Sequence, residues 1–451
     1  MNARELALDV FLEMEKNAAS PVRLIGDTLE KYDYEDPREK AFFKRLCEQT
    51  LEERIAIDWA LDQYSKTPVS KMKPLIRALL RLSACQILYM DGVPDSAVCN
   101  EAVKLAKKRG FSSLSGFVNG VLRTLSRQKG QIRLPDEHTE PALFLSVRYN
   151  MPRWLVELWE EQYGPETARR ILSGLSERRP VTIRFQNAWQ DGGRQAAEAA
   201  EAIRRSGVGM TEHPLWPGAW ELGDFEGVAG LPGYREGLFY AQDVSSMLAV
   251  AAAGILPGMR VLDLCSAPGG KALLAAEYAG KDGVVRAGDL SEKRLERLRE
   301  NASRMGVFNL EIDRWDACVY REEQKEWADV MLADVPCSGL GVLGRKKDIR
   351  YRLKMEDLTA LSVLQHRILS ASWRYVKKGG ILLYSTCTVN RQENEEIVLR
   401  FIQDCPFVLE SLEEFLPACL CGQAARSGML QLLPGEWHTD GFFMARLRRI
   451  G

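Results

Sequence analysis

Two of the ten cysteines stand in settings that suit reaction better than packing: Cys337 in Asp334-Val335-Pro336-Cys337-Ser338-Gly339, and Cys387 in Ser385-Thr386-Cys387-Thr388. A thiolate is a strong nucleophile and a good partner for covalent catalysis. Asp334 puts an acid beside the first of them. A third run, Cys265-Ser266-Ala267-Pro268-Gly269-Gly270-Lys271, is glycine-rich and precedes an alanine- and leucine-rich stretch. Glycines let backbone approach a ligand closely, and a helix starting there offers unpaired N–H groups to an anionic or carboxylate-bearing cofactor. Asp289 lies about 20 residues past that turn, where an acidic group can hold ribose hydroxyls.

These residues need a sheet to position them. Met259–Leu264 reads as a strand ahead of the glycine turn, and 283–288 as a second strand ending at Asp289. Further strands are expected at 330–333 and 381–384, with a helix from about 358 to 376 between them, and each runs into one of the two cysteine motifs. In an open parallel sheet the loops at the carboxyl ends of strands face the ligand crevice, so both thiols should point into one site. The turn lacks Gly-x-Gly-x-x-Gly, which argues against a dinucleotide. The other cysteines read as small buried hydrophobes, and the Cys419-x-Cys421 pair carries no chemical reading.

A chain of 451 residues exceeds a single core and calls for about three folding units. With 46% hydrophobic and 27% charged residues it cannot be largely disordered. The N-terminus has no apolar signal block and the cysteines form no Cys-x-x-Cys pair, so a reducing cytoplasm is expected. No run approaches the roughly 18 apolar residues of a membrane helix, and the four histidines are not spaced as metal ligands, so neither membrane nor metal is expected. A net charge of -1 excludes a generally basic polyanion binder. Local patches remain at Lys104, Lys107, Lys108, Arg109 and at Arg345, Lys346, Lys347, Arg350, Arg352.

Residues 3 to 127 carry helical periodicity throughout, with a turn at Asp91-Gly92-Val93-Pro94 and a stop at Gly110. Residues 128–140 are polar with Gly and Pro and read as a linker. Beyond it come a helix at 154–163, a strand at 181–185 and a helix at 194–205, a small α+β pattern. The expected division is an all-helical domain over 1–130, an α+β module over 141–235 and an α/β Rossmann-like domain over 236–451.

Residues 79 to 125, in particular Val98-Cys99-Asn100-Glu101-Ala102 and Phe117-Val118-Asn119-Gly120-Val121-Leu122, resemble the RNA-binding NusB family. DLCSAPGGK, DVPCSG and STCT together are similar to the NOL1/NOP2/Sun family of RNA cytosine-5 methyltransferases. With the NusB-like front end, the likeness extends over essentially the whole chain to the bacterial branch acting on 16S ribosomal RNA. Two departures stand out: Asp-Val-Pro-Cys where the family commonly has Asp-Ala-Pro-Cys, and Thr-Cys-Thr where Thr-Cys-Ser is common. Both keep the acid and the thiols.

The resemblance implies S-adenosyl-L-methionine as cofactor, held by Cys265 to Lys271, by Asp289 at the ribose, by Asp316 near the adenine and by Asp334. It implies that Cys387 attacks carbon 6 of cytosine, that Asp334, protonated, serves as the acid at the base edge, and that Cys337 helps release the product. Residue chemistry alone leaves open which cysteine attacks; the Thr-Cys motif decides it by likeness. Arg345, Lys346 and Lys347 would hold flanking RNA phosphates. The expected partner is 16S ribosomal RNA and the expected state a monomer. A catalytically dead RNA-binding scaffold, or a methyltransferase for DNA or protein, remain the competing readings.

Overall fold

The computed structural model describes residues 2–16, 21–32, 36–186, 193–225 and 227–451. The chain divides into two compact units, one comprising Met1–Leu172 and Arg345–Arg352, the other Ser173–Gly344 and Leu353–Gly451.

The first unit is helical. Its central helix, Pro74–Tyr89, has proline at its first turn and is apolar nearly all round, and so it is buried on most sides. Asp36 caps Pro37–Glu52 by accepting from the Arg38 amide, and Gly110, at φ +83°, ends Asp95–Lys108 where the sequence places a stop. Within the first basic patch, Lys104 pairs with Glu101, Lys108 with Glu5 and Arg109 with Asp9, so much of its charge is met by this unit's own acids. The linker is fastened at Arg133, whose carbonyl accepts from Trp59 Nε1 and Gln63 Nε2.

Residues 141–235, expected as one module, are shared between the units. Helix Pro141–Arg148 packs on helix Arg54–Tyr64, and Asn150 fixes the join: its Oδ1 accepts from the Ala56 amide at 2.9 Å and its Nδ2 donates to Glu53 at 2.7 Å. The short segment Arg345–Arg352 belongs to the same unit. Buried Arg350 donates to the Asn150 carbonyl at 2.8 Å, Arg54 stacks over the Tyr351 ring at 4.9 Å, and Lys347 is paired with Glu52.

The second unit holds two sheets. The smaller is antiparallel, in the order β2-β3-β1-β4, from β1 (Val181–Phe185), β2 (Met210–Glu212), β3 (Ala219–Leu222) and β4 (Phe239–Ala241). The larger contains β5 (Arg260–Asp263), β6 (Val284–Asp289), β7 (Leu310–Arg314), β8 (Ala328–Asp334), β9 (Val376–Thr386), β10 (Phe407–Leu409), β11 (Met429–Leu432) and β12 (Phe442–Arg449). Its order is β10-β12-β9-β8-β5-β6-β7, with β11 beside β12. Strands β5 to β9 run parallel, whereas β12 returns antiparallel to β9.

Both faces of the large sheet are buried, and alternation along each strand divides its residues between them. Val261, Val285, Val330 and Leu332 enter one core; Leu262, Met331, Leu382 and Tyr384 enter the other. The strand order reverses between β5 and β8, which opens a crevice beyond their carboxyl ends. That reversal places the glycine turn and both cysteine loops along one rim.

Candidate active site

From Asp263 at the end of β5 the chain turns into helix Gly270–Ala279. The turn is pinned to β6: the Ser266 amide donates to the Gly288 carbonyl at 2.9 Å, and the Ala267 amide to Asp289 at 3.3 Å. Gly269 sits at φ +115°, and a Cβ there would lie 2.3 Å from Leu298 Cδ1, so conformation and space both require glycine. Beside Gly270, a Cβ would meet Gln242 Nε2 at 3.3 Å, and that buried donor has no hydrogen-bond partner among the described residues. An unsatisfied donor next to the free N–H groups of a helix start suits a ligand bearing a carboxylate. S-adenosylmethionine carries one, so the residues present fit it.

Asp289 is buried at the end of β6, where it accepts from the Ser291 amide and from Arg294, each at 2.9 Å. Asp316 is exposed two residues beyond β7 and accepts from the Cys318 amide at 2.9 Å. Asp289 stands opposite Arg314 in the β6–β7 register, so the two acids leave neighbouring strands at the same edge. Trp315 lies between them in sequence, its ring packed on Gly288: a Cβ there would fall 2.1 Å from Trp315 Cε2.

Asp334 closes β8. Its Oδ2 lies 2.8 Å from Lys271 Nζ, and its Oδ1 accepts from Ser385 Oγ at 2.9 Å. Burial pulls the Lys271 ammonium down, but the charges of Asp334, Cys387 and Asp263 outweigh it and hold the group above its ordinary value. Asp263, fully buried, is pushed up to about 7 by burial and by the charge of Asp334. Sequence reasoning passed over Asp263, although it opens the DLCSAPGGK run; its place at the end of a buried strand was the available signal.

Cys337 Sγ and Cys387 Sγ are 3.3 Å apart, half-buried at the ends of β8 and β9. The hydrogen bond shared with Cys387, then burial, then the charges of Cys387, Glu393 and Asp334 raise the Cys337 thiol well above its usual range. The loop after Cys337 is wedged tightly, since the Gly341 amide donates to the Cys387 carbonyl at 3.1 Å and Gly341 touches Gly441 backbone too closely for any side chain.

The structure thus gathers Cys265 to Lys271, Asp289, Asp334, Cys337 and Cys387 along the carboxyl edge of one sheet, with Asp316 at its β7 end. Arg345, Lys346 and Lys347 fall in the segment that belongs to the helical unit, where Arg345 and Lys346 are exposed. Not foreseen were Ser385, Gln242 and Glu393. Among the described residues no cluster of three metal-ligating side chains occurs, and no helix is long and apolar enough to cross a membrane.

A doubly wound sheet whose strand order reverses at a glycine turn, with acids at successive strand ends and a donor left for a carboxylate, defines an S-adenosylmethionine-dependent methyltransferase. The model of the family described as 16S rRNA methyltransferase RsmB/F matches residues 255–448, and that of the NusB family matches 1–127. The probable ribosomal RNA small subunit methyltransferase B of Bacillus subtilis (strain 168) is 35% identical over 454 residues, covering 100% of this chain and 99% of its own. The chain belongs to the RsmB/F family of 16S rRNA methyltransferases and carries a NusB-family domain at its front. Its fold is shared with the crystal structure of PH0851, at a TM-score of 0.79 and 22% identity over 100% of this chain and 99% of that one. It is also shared with NSun6 from Pyrococcus horikoshii, solved with SFG, at a TM-score of 0.57 and 20% identity over 66% of this chain and 98% of that one.

Proposed function

We propose that this enzyme methylates carbon 5 of a specific cytosine in 16S ribosomal RNA, with Cys387 as the covalent nucleophile. What supports the reading above all is the pair of thiols 3.3 Å apart, beside the Lys271–Asp334 ion pair, at the rim where the cofactor turn ends.

Carbon 5 of cytosine is a poor nucleophile until something adds at carbon 6, and a thiolate does this well. In this reading Cys387 Sγ bonds to carbon 6 as its proton passes to the Asp334 carboxylate, and the ring electrons move toward carbon 5 and N3. Asp334 faces the N3 and amino edge and supplies the proton there. Its two oxygens accept from Lys271 and Ser385, and one of those bonds opens while it carries the proton. S-adenosylmethionine, held by Cys265 to Lys271, Asp289, Asp316 and Asp334, supplies the methyl group when bound. Loss of the carbon 5 proton to a base and expulsion of the Cys387 thiolate restore the aromatic ring. Cys337, kept as a thiol by its surroundings, assists that release.

The target base has to leave any helix it occupies, since both ring carbons must be reached. Arg345, Lys346 and Lys347, the module within 141–235 and the helical domain are proposed to grip the RNA by shape and unpaired loops. The same reading has the protein working as a monomer in the cytoplasm.

Purified protein with labelled S-adenosylmethionine and unmodified 16S RNA provides the test. Wild type should form 5-methylcytosine, Cys387→Ala should not, and Cys337→Ala should accumulate a covalent protein–RNA adduct. An active Cys387→Ala with a dead Cys337→Ala would reverse the two roles, and a wild type that never labels RNA would return the scaffold or another substrate.

A further inference from the structure

Glu393 is completely buried, and it sits in the centre of a hydrogen-bond network that reaches both cysteine loops. Its Oε2 accepts from the Ser338 amide at 2.9 Å and from Gln365 Nε2 at 3.0 Å. Its Oε1 accepts from Ser338 Oγ and from Asn390 Nδ2, the latter at 2.9 Å. Those four donors are neutral, and they offset the desolvation of an isolated carboxylate.

The ties extend to the residues flanking each thiol. Ser338, just after Cys337, bonds through its hydroxyl to Thr388 Oγ1, just after Cys387, at 2.7 Å. Pro336, just before Cys337, is held at its carbonyl by Gln365 at 2.9 Å. Thr386, just before Cys387, donates to Asn394 at 2.6 Å, and Asn394 in turn donates to the Thr388 carbonyl at 3.1 Å. Tyr384 OH donates to the Glu393 carbonyl at 2.6 Å, which fixes the backbone of the acid itself to β9.

We propose that Glu393 is a positioning residue that sets the register of the two thiols by binding both cysteine loops at once. Two loops from different strands need a common anchor to keep their side chains within reach of one base; Glu393 holds the Ser338 amide and hydroxyl on one loop and Asn390 on the other, and Thr388 adds bonds to the Ser338 hydroxyl and the Leu340 amide. The charge of Glu393 also acts on Cys337 and adds to the effects that keep that thiol protonated. The pair is thereby divided into one attacking and one releasing member. This assignment rests on the reading of Cys387 and Cys337 as the reacting thiols.

The test uses the full-length protein with Glu393→Gln and Glu393→Asp. A misplacement of about 1 Å at a reacting group costs on the order of 100-fold, so Glu393→Gln should lower kcat by roughly that factor. Its KM for S-adenosylmethionine should stay near wild type, because the cofactor turn makes none of these bonds. In a Cys337→Ala background, Glu393→Gln should slow formation of the covalent adduct, and Glu393→Asp should restore part of the rate. A second readout needs no methylation: diamide takes up the two thiol hydrogens as Cys337 and Cys387 form a disulfide, and Glu393→Gln should slow this reaction. Wild-type kcat and disulfide rate in Glu393→Gln would overturn the proposal, as would a folded Glu393→Gln that loses cofactor binding in parallel with kcat. If Glu393→Gln does not fold, Ser338→Ala removes only the hydroxyl bridge, and unchanged kcat and disulfide rate in that variant would equally overturn it. A wild type inactive on RNA would sink the methylation reading alone, since the disulfide rates still judge the role of Glu393.

Discussion

Lys271 Nζ and Asp334 Oδ2, 2.8 Å apart, join the first turn of the cofactor helix to the end of the strand that leads into Cys337. One ion pair thus couples the turn proposed to hold the cofactor to the loop proposed to meet the base. Lys271 is mostly buried and Asp334 is about one third exposed, so the pair is neither a solvent-screened surface contact nor a sealed core one.

Replacing Lys271 with Met should therefore leave Asp334 without its charged partner. A thermal melt should show a loss of about 1–2 kcal/mol, below the range for a fully sealed pair. Cofactor affinity should fall in the same variant. Unchanged affinity would remove Lys271 from the cofactor site.

Asp263 makes stability depend on pH in a direction opposite to most carboxylates. Its pKa rises from 3.8 to about 7 in the fold, so between those values the folded protein holds a proton that the unfolded chain has released. The contribution of this group consequently falls as pH rises through that window, by about 1.4 kcal/mol per pH unit. Asp263→Asn should gain stability relative to wild type as pH climbs from 5 to about 7, measured by denaturant unfolding of the cofactor-free protein. A difference that stays constant with pH would contradict this.

Arg184 and Glu277, 2.8 Å apart and almost wholly buried, fasten the small sheet to the cofactor helix. Glu277→Ala should destabilise the protein by about 3–5 kcal/mol, since it strands a buried guanidinium. The double variant Arg184→Met with Glu277→Leu should recover most of that loss. If both variants melt alike, the ion pair is not what the single substitution disturbs.

Gly288→Ala tests the packing of Trp315. The added methyl would press on the indole ring and should cost about 1–3 kcal/mol by overpacking. Because Asp289 follows directly, cofactor affinity should drop as well. Gly288→Ala combined with Trp315→Leu should relieve both effects in calorimetric titrations.

The centre of the large sheet could be read directly from the chain. Strands β5, β6, β8 and β9 are apolar runs that end in motifs, because a strand covered on both faces has few polar positions and its chemistry is confined to its end. The edges were opaque. β7, Leu-Glu-Ile-Asp-Arg, lies at the border with little burial, and β12 was passed over as a strand because its buried arginines interrupt the apolar pattern. Arg446 is satisfied by Glu410 and the Ala252 carbonyl, partners that sequence proximity does not reveal. In the site, the thiols and the glycine turn were legible from residue type. Glu393 was not: Glu-Asn-Glu-Glu looks like a solvated acidic run, and the donors that keep it buried come from residues 338, 365 and 390. The basic triad was legible as charge, but not its membership of the helical unit, which depends on Arg350 and Tyr351 finding a socket around Asn150 and Arg54.

That socket has a consequence for anyone who cuts the gene. Severing the chain in the 129–140 linker would not release two self-sufficient halves, because the C-terminal product carries Asn150 and Arg345–Arg352 away together and leaves the Ala56 amide, Glu53 and the face of Arg54 bare in the N-terminal product. The two products are better regarded as complementary fragments, the smaller one lacking both residues 141–172 and Arg345–Arg352 of its own unit.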